Sequence, residues 1–264
     1  MSWGYDDHNG PSKWAEIFEA AKGNSQSPIE ISECSFDDEL ANRPLVLSHS
    51  NPKEIVNNGK TFQVVYKQDE GECSSLSGGP LQDKTYVLHH FHMHWGGADD
   101  RGAEHIIPKK RYAAELHFVY LHKRFGGHVG EAIKCEDGVA VLGVFVDVGA
   151  DAHAGFQRVV DMVGTIPTSP MLSAVAAFET TTLLPDNIAK YWTYHGSLTT
   201  PPCSESVQFI LFEEPISVSV EQMARIRQLK HIDGDGNLHD MSDNYRPTQN
   251  TNGRIVYSSF KNDS

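Results

Sequence analysis

The sequence is poor in the residues that build several common kinds of site. It has only four cysteines in 264 residues, and no two of them form a C-x-x-C pair. A cysteine zinc finger is therefore excluded, and a framework of disulfides is not expected in a chain of this length. We predict that all four are free thiols: Cys34, Cys73, Cys135 and Cys203.

Positive charge and long apolar runs are also scarce. The chain has 22 Lys and Arg against 35 Asp and Glu, which gives a formal net charge of −13. Nucleic acids and anionic membranes are bound through clustered basic side chains, so neither is an expected partner. No apolar run approaches the roughly 20 residues that span a bilayer. The first ten residues also lack a basic segment followed by an apolar one, and we expect a cytoplasmic protein without membrane insertion.

The pattern of apolar stretches along the sequence is typical of a β-rich globular protein. Residues 1–264 contain no internal repeat and no linker-like segment, which predicts a single domain. Stretches rich in Val, Phe, Tyr and Ile outnumber stretches with helical periodicity, so we predict a mainly β (α+β) fold, a large sheet with short peripheral helices. The predicted strands are 61–67, 85–95, 113–122, 139–148 and 206–220, and the predicted helices are 12–18, 155–166 and 219–229.

The densest polar feature is the stretch HHFHMHW at residues 89–95. Side chains alternate between the two faces of a strand, so His92 and His94 point the same way, about 6.6 Å apart along the strand. Two imidazoles at this spacing can converge on one metal ion. Alternation also predicts that Tyr86, Leu88 and His90 share this face, and that His89 lies with Val87, Phe91, Met93 and Trp95 on the other as a hydrogen-bonded or surface residue.

The predicted strand 113–122 repeats the pattern, with Glu115 and His117 on one face. If this strand lies beside 85–95, His117 becomes a third nitrogen ligand. Three histidines with an open fourth position are typical of a catalytic zinc site, whereas a structural site has four protein ligands. Glu115 is placed to accept a hydrogen bond from the second ring nitrogen of a ligand histidine.

The text around these histidines resembles the α-carbonic anhydrases. The segments that carry the resemblance include WGYDDHNGPSKW, QSPIEI, NNGKTF, GGPL, FHMHWG, YAAELHFVY, YWTYHGSLTTPPCSESVQFI and DNYRP, which together cover about residues 3–260. The resemblance implies a twisted, mostly antiparallel sheet of about ten strands with zinc at the base of a conical cleft. It also implies the reversible hydration of carbon dioxide to bicarbonate and a proton by zinc-bound hydroxide.

The resemblance assigns a role to each matching residue. His92, His94 and His117 match the ligands of one Zn²⁺ per chain. Thr199 matches the residue that accepts a hydrogen bond from zinc-bound hydroxide, and Glu104 matches the carboxylate behind it. The remaining matches are Glu115 and Asn244 as partners of the ligands, and Val119, Val141, Leu198 and Val207 as the apolar wall of the substrate pocket. We add Thr200 and Phe209 to the expected substrate pocket.

Four positions depart from the best-known members of the family. Lys60 stands where a proton-shuttling histidine is frequent, and His90 stands where a glutamine usually hydrogen-bonds the first zinc ligand. We expect His90 either to keep such a hydrogen bond or to join the proton path, and Tyr5 to assist. Phe209 replaces a common tryptophan, and His195 replaces a common proline. Cys203 has no cysteine partner near residue 21, which agrees with a cytoplasmic protein.

The expected partners are carbon dioxide, bicarbonate and sulfonamide or anion inhibitors, and the expected state is a monomer. Two other functions stay open. A non-catalytic carbonic-anhydrase-related binding module would lack one or more of the three zinc histidines, and zinc content distinguishes it. A zinc esterase would use the same centre on small carbonyl compounds, so we expect weak esterase activity beside the main reaction.

Overall fold

β-Strands dominate the structure, a computed structural model that describes residues 3–68, 73–108, 110–233 and 235–261. These residues form fifteen strands, five α-helices and four short 3-10 helices at Glu19–Lys22, Gly79–Leu81, Lys123–Phe125 and Thr180–Leu183. The helices are α1 (Pro11–Ile17), α2 (Asp38–Asn42), α3 (Val129–Ala132), α4 (Ala154–Val163) and α5 (Val220–Ile226). The strands are β1 (Ser35–Phe36), β2 (Leu45–Ser48), β3 (Pro52–Asn57), β4 (Phe62–Tyr66), β5 (Ser75–Gly78), β6 (Tyr86–Trp95), β7 (Ala114–His122), β8 (Val139–Gly149), β9 (Met171–Ala174), β10 (Tyr191–Gly196), β11 (Val207–Phe212), β12 (Ile216–Ser219), β13 (Lys230–Ile232), β14 (Leu238–Asp240) and β15 (Tyr257–Ser258).

Within the described chain, thirteen of the strands form one sheet, in the order β1-β15-β10-β11-β8-β7-β6-β4-β3-β9. Outside this order, β12 pairs with β8, while β5 pairs with β6 and with β2. Strands β13 and β14 form a separate two-stranded sheet. Most neighbours are antiparallel, and the parallel pairs are β1–β15, β8–β11 and β8–β12. The prediction of a mainly β, mostly antiparallel fold with short helices is confirmed.

Strand β7 divides its side chains between two apolar clusters, one on each face of the sheet. Phe118 belongs to the larger cluster, where Phe156 of α4 and Met223 of α5 are also buried. The adjacent Val119 belongs to the smaller cluster, which includes Val141 of β8. Because alternate residues of a strand face opposite sides, Glu115 and His117 lie on the side of the smaller cluster, where the candidate site is built.

A β-bulge in β6 overturns the predicted division of its faces. The register passes from Leu88, opposite Tyr120, directly to His90, opposite Val119, so His89 is an extra residue. Alternation is interrupted there. Leu88 therefore packs in the same cluster as Phe91. The prediction that Tyr86 and Leu88 share a face with His92 and His94 is wrong, as is the placement of His89 with the apolar face.

The predicted strand 206–220 is two strands, β11 and β12, separated by residues 213–215. Pro215 lies in this break, and its missing N–H prevents it from joining a continuous hydrogen-bond ladder. Helix α5 follows at once because Ser219 and Gln222 form a reciprocal capping box. Helices α4 and α5 end three residues before their predicted ends.

Candidate metal centre

Three histidine side chains converge on the face of β6 and β7 that belongs to the smaller cluster. His92 and His117 are directly opposite each other in the antiparallel register. His94, two residues along β6, brings its Nε2 to 3.1 Å from the Nε2 of His92. One ring nitrogen of each histidine lies within 4.8 Å of the others. The adjacent strands and the two-residue spacing therefore produce the convergence that the sequence predicted.

Hydrogen bonds determine which nitrogens remain free. His94 Nδ1 is 2.7 Å from the carbonyl oxygen of Asn244, and His117 Nε2 is 2.7 Å from Glu115 Oε1. Each of these rings is thereby oriented with its other nitrogen toward the centre. The nitrogens available to a metal are His92 Nε2, His94 Nε2 and His117 Nδ1.

Asn244 joins the centre to two other segments through its side chain. Its Oδ1 accepts a hydrogen bond of 2.8 Å from the backbone N–H of Trp95. Its Nδ2 donates to the carbonyl oxygen of Lys60 at 2.9 Å. Asn244 thus ties the end of β6 to the segment that carries Lys60, while its own carbonyl positions His94.

Glu115 is completely buried and accepts hydrogen bonds from three residues. Besides His117, these are the backbone N–H groups of Glu104 and His105 and the Nδ1 of His105, at 2.7–2.9 Å. Burial alone would raise its pKa, but the His105 and His117 rings hold the pKa of Glu115 well below its usual range. A carboxylate at this position is therefore ionised and fixes the orientation of His117.

His105 and Tyr194 were not among the predicted site residues. The Tyr194 hydroxyl lies 2.7 Å from His105 Nε2 and 2.8 Å from Ser27 Oγ. Through His105, these contacts connect Glu115 to Tyr194 of strand β10. The one feature of the sequence that pointed to His105 was the Glu-His pair at residues 104–105 after FHMHWG. This pair did not indicate which residues His105 contacts.

Burial controls the ionisation of the three converging rings. It lowers the pKa of His94 to about 3, with a further contribution from His117, and it lowers the pKa of His92 well below its usual value. Burial also acts to lower the pKa of His117, but the Glu115 carboxylate outweighs it and raises this pKa. A metal ion that binds must displace any proton from His117.

Glu104 lies immediately behind the centre and is buried. Its Oε1 accepts a 2.8 Å hydrogen bond from the backbone N–H of Arg246. Burial raises the pKa of Glu104 to about 7, although the His117 ring, the Arg246 N–H and a hydrogen bond with the Thr199 side chain all act to lower it. The structure therefore brings Thr199 and Glu104 together, as the resemblance implied.

Two buried polar atoms at the centre have no hydrogen-bond partner among the described residues. They are His92 Nδ1 and Glu104 Oε2. Glu104 Oε2 is 3.3 Å from His94 Nε2 and 3.8 Å from His117 Nδ1. A cation between the three rings fits this arrangement, because it compensates the buried Glu104 carboxylate and engages the three converging nitrogens, of which His92 Nδ1 is not one.

The expected hydrogen bond from His90 to His92 is not formed. His92 Nδ1 has no partner in the described part of the chain, and the His90 ring stacks on the His92 ring with centroids 5.2 Å apart. His90 Nδ1 instead lies 2.9 Å from His89 Nδ1. The bulge supplies this alternative partner, so His92 is held by packing where the family usually has a hydrogen bond.

The centre opens into a cleft of about 240 Å³. Val119, Leu198 and Thr200 line it, as predicted for the substrate pocket. Val141, Val207 and Phe209 lie behind this wall in the smaller apolar cluster, and the Phe209 ring is 5.9 Å from that of His117. The apolar lining that was not predicted comprises Trp3, Leu121, Val129, Ile133, Val139, Pro201 and Pro202.

Lys60 and Tyr5 also line the cleft. The Lys60 ammonium lies 5.7 Å from the centroid of the Trp3 ring. Burial lowers the pKa of Lys60, partly opposed by Asp6, so this position is less hydrated than an open rim. Burial raises the pKa of Tyr5 well above its usual value, which keeps its hydroxyl protonated. His195 instead borders a surface depression beside Gln82 and Gln208.

Cys135 and Cys203 are not joined in disulfides, as predicted for these two residues. Burial raises the pKa of Cys203 to about 11. Among the described residues, the helices are too short or too polar to cross a membrane.

Comparison with known proteins identifies relatives of nearly full length. The family model described as eukaryotic-type carbonic anhydrase matches residues 9–260. The chain is 42% identical over 261 residues to Carbonic anhydrase 3 of Sus scrofa, with 98% of each protein covered. It is 41% identical, with the same coverage, to Carbonic anhydrase 3 of Bos taurus and of Mus musculus.

Proposed function

We propose, from the premise that the chain belongs to the eukaryotic-type carbonic anhydrase family and is a carbonic anhydrase, that it hydrates carbon dioxide. The reaction would use one Zn²⁺ held by His92, His94 and His117. The observation that carries this proposal is the convergence of three ring nitrogens within 4.8 Å of one another. They meet at the base of a cleft with an apolar wall. Three neutral nitrogen ligands leave a fourth position for solvent, as in catalytic zinc sites.

When bound, zinc supplies Lewis acidity that lowers the pKa of water to about 7, a value for which carbonic anhydrase itself is the standard example. Residues of the chain then orient the nucleophile. Thr199 has a single proton to donate, and Glu104 accepts it when ionised. The Thr199 oxygen is then left to accept a hydrogen bond from the nucleophile, which directs a lone pair of the nucleophile toward the substrate.

Carbon dioxide has no charge and no strong hydrogen-bonding group, so its pocket must be apolar and small. Val119 lies two residues from His117 on the same face of β7. Leu198 precedes Thr199 and lines the cleft. Val141, Val207 and Phe209 support this wall from behind. We propose that these residues hold the substrate beside the centre, with Thr200 as the polar neighbour.

The function is tested by measuring zinc content and the stopped-flow rate of carbon dioxide hydration on the same zinc-loaded sample. One zinc per chain with rapid hydration is expected. The non-catalytic binding module is disfavoured because the three histidines, Thr199 and Glu104 are all present together. A protein with neither zinc nor hydration activity would restore that alternative. Slow ester hydrolysis at the same centre is expected as a side activity.

We also propose that the protein works in the cytoplasm as a monomer. Cys203 supports the first statement, because it is not joined in a disulfide, whereas proteins of oxidising compartments commonly form them. Gel filtration of the zinc-loaded protein measures the second.

Aryl sulfonamides should inhibit this enzyme by competing for the open position of the centre. A primary sulfonamide, bound as its anion, offers one nitrogen to the metal and one N–H to Thr199, whose oxygen can accept it. A doubly N-substituted sulfonamide has no N–H to give. We expect the substituted series to bind far more weakly in an inhibition assay, and equal potency of the two series would contradict the assigned role of Thr199.

Lys60→His should raise kcat in dilute buffer. Each hydration cycle releases a proton, and an efficient relay has a pKa near the working pH. Histidine, at about 6.5, meets this condition better than lysine, at about 10.4. Burial lowers the pKa of Lys60, but its cationic form still cannot accept a proton. A positioned acid–base group contributes at least about 100-fold to a rate. We expect kcat of the variant to rise by up to about this factor.

The value of kcat/KM should stay nearly constant in Lys60→His, because the hydration step is untouched. Imidazole buffers should accelerate the natural protein more than the variant. Lys53→His, at an exposed position of β3, is the matched control and should leave kcat unchanged. If Lys60→His behaves like this control in dilute buffer, another group already carries the proton.

A further inference from the structure

The bulge in β6 directs two neighbouring histidines into one cleft. His89 is the extra residue of the bulge, because the register opposite β7 passes from Leu88 to His90. Leu88 and Phe91, on either side of the pair, are buried in the larger apolar cluster. His89 and His90 both line the cleft. Adjacent residues of a regular strand face opposite sides, so the bulge is what brings these two side chains together.

The two rings bring their Nδ1 atoms close enough for one ion to bridge them in place of the hydrogen bond that they now share. Their Nδ1 atoms are 2.9 Å apart, and the ring planes meet at 83° with centroids 5.2 Å apart. Only one proton fits between two nitrogens at this distance, so at least one lone pair is directed at the partner ring. An ion bound at about 2.0–2.1 Å from each nitrogen would form an N–metal–N angle of about 90°, which is normal for divalent transition metals.

We propose that His89 and His90 form a second transition-metal site on the cleft wall, distinct from the three-histidine centre. Imidazole nitrogens suit Cu²⁺ and Zn²⁺, and Cu²⁺ binds such ligands most tightly. Water completes the coordination, since the cleft is open to solvent. The net charge of −13 attracts cations, whereas Lys60 in the same cleft repels them. The second site is therefore weaker than the centre.

An ion at this site would restrict the cleft. The His90 ring stacks on His92, with centroids 5.2 Å apart, so the ion lies beside the route by which substrate reaches the centre. Metal binding to the pair would then reduce carbon dioxide hydration without removing zinc from His92, His94 and His117.

The test adds Cu²⁺ to zinc-loaded protein, removes the excess by buffer exchange and measures both metals by elemental analysis. We expect about one copper per chain to be retained while zinc stays at one. The electron paramagnetic resonance spectrum should show coupling to two nitrogens. His89→Gln should lose this copper. Copper content is measured independently of hydration, so its result stands whatever the activity of the zinc centre.

Two matched variants control for other surface histidines. His128→Gln removes an exposed histidine next to Val129, which lines the same cleft. His239→Gln removes the exposed ring of the stacked pair that it forms with His231 on the β13–β14 hairpin. Both variants should retain the copper.

Three results would overturn the proposal: copper retained by His89→Gln, copper lost from His239→Gln, or zinc displaced in equal amount by copper. If His89→Gln does not fold, the natural protein is still informative. Substoichiometric Cu²⁺ should then broaden the NMR signals of the His89 and His90 rings first. Earlier broadening at His231 and His239 would contradict the assignment.

Discussion

A His94→Ala variant is expected to lose most of its zinc and to fall more than 100-fold in carbon dioxide hydration. The side chain is buried and supplies Nε2 to the centre, 3.1 Å from His92 Nε2. Its removal leaves two nitrogens where three are needed, and the buried Glu104 carboxylate then lacks a nearby cation. Loss of a partner that only orients a ligand typically costs 10–100-fold in metal affinity or activity, and loss of a ligand should cost more.

A graded series makes this prediction sharper. Glu115→Gln keeps all three rings but weakens the hydrogen bond to His117 Nε2, so zinc affinity should fall by about 10–100-fold. His122→Ala removes a partly exposed histidine at the far end of β7 and should keep full zinc. Zinc affinity is measured by competition with a chelator, and circular dichroism verifies the fold of each variant. Full zinc and full activity in His94→Ala would contradict the ligand assignment.

The spacing of the histidines predicted much of the site because strand geometry is regular. Residues two apart share a face, which brought His92 beside His94, and the antiparallel register placed His117 opposite His92. The first inference needed no information about distant segments, whereas the place of His117 depended on the condition that its strand lies beside 85–95. The apolar wall was implied by the resemblance, and strand alternation agrees with it at Val119, which follows His117 by two residues.

The errors in the predicted faces of β6 come from one extra residue in that strand, which strand alternation cannot predict. A bulge leaves no clear trace in a sequence in which both His89 and His90 are polar, and it reversed the faces of Tyr86 and Leu88. It also gave His90 a different partner, so the hydrogen bond to His92, which was one of the two roles expected for His90, is not formed. Local periodicity assumes an unbroken ladder, and it fails at the first extra residue.

Other contacts join segments that are far apart along the chain. Asn244 reaches His94 across 150 residues, and Arg246 reaches Glu104 across 142. Such pairs have no periodic signature, and only the resemblance to a known family suggested Asn244 and Glu104. His105 and Tyr194, which the resemblance did not bring forward, were missed for the same physical reason.

Removal of the Thr199 hydroxyl should produce the second large effect. Thr199→Ala leaves the three ring nitrogens in place, so zinc content should stay at one per chain. The nucleophile loses its acceptor and its orientation, and misplacement of a reacting group costs about 100-fold. We expect kcat/KM for carbon dioxide to fall by about this factor. Thr199→Ser keeps a hydroxyl at the same position and should recover most of the loss.

Glu104 provides the decisive comparison because, in the proposed arrangement, it helps to orient the nucleophile only through its hydrogen bond with Thr199. Glu104→Gln should also lower kcat/KM, since an amide accepts the Thr199 proton less strongly than a carboxylate. The double variant should then lose little more than Thr199→Ala alone, because groups that share one hydrogen bond are not additive. Stopped-flow hydration and zinc analysis of the two single variants and the double variant measure this coupling. Independent, fully additive losses would show that Glu104 contributes by another route, such as compensating the charge of the metal, and would separate it from the orientation of the nucleophile.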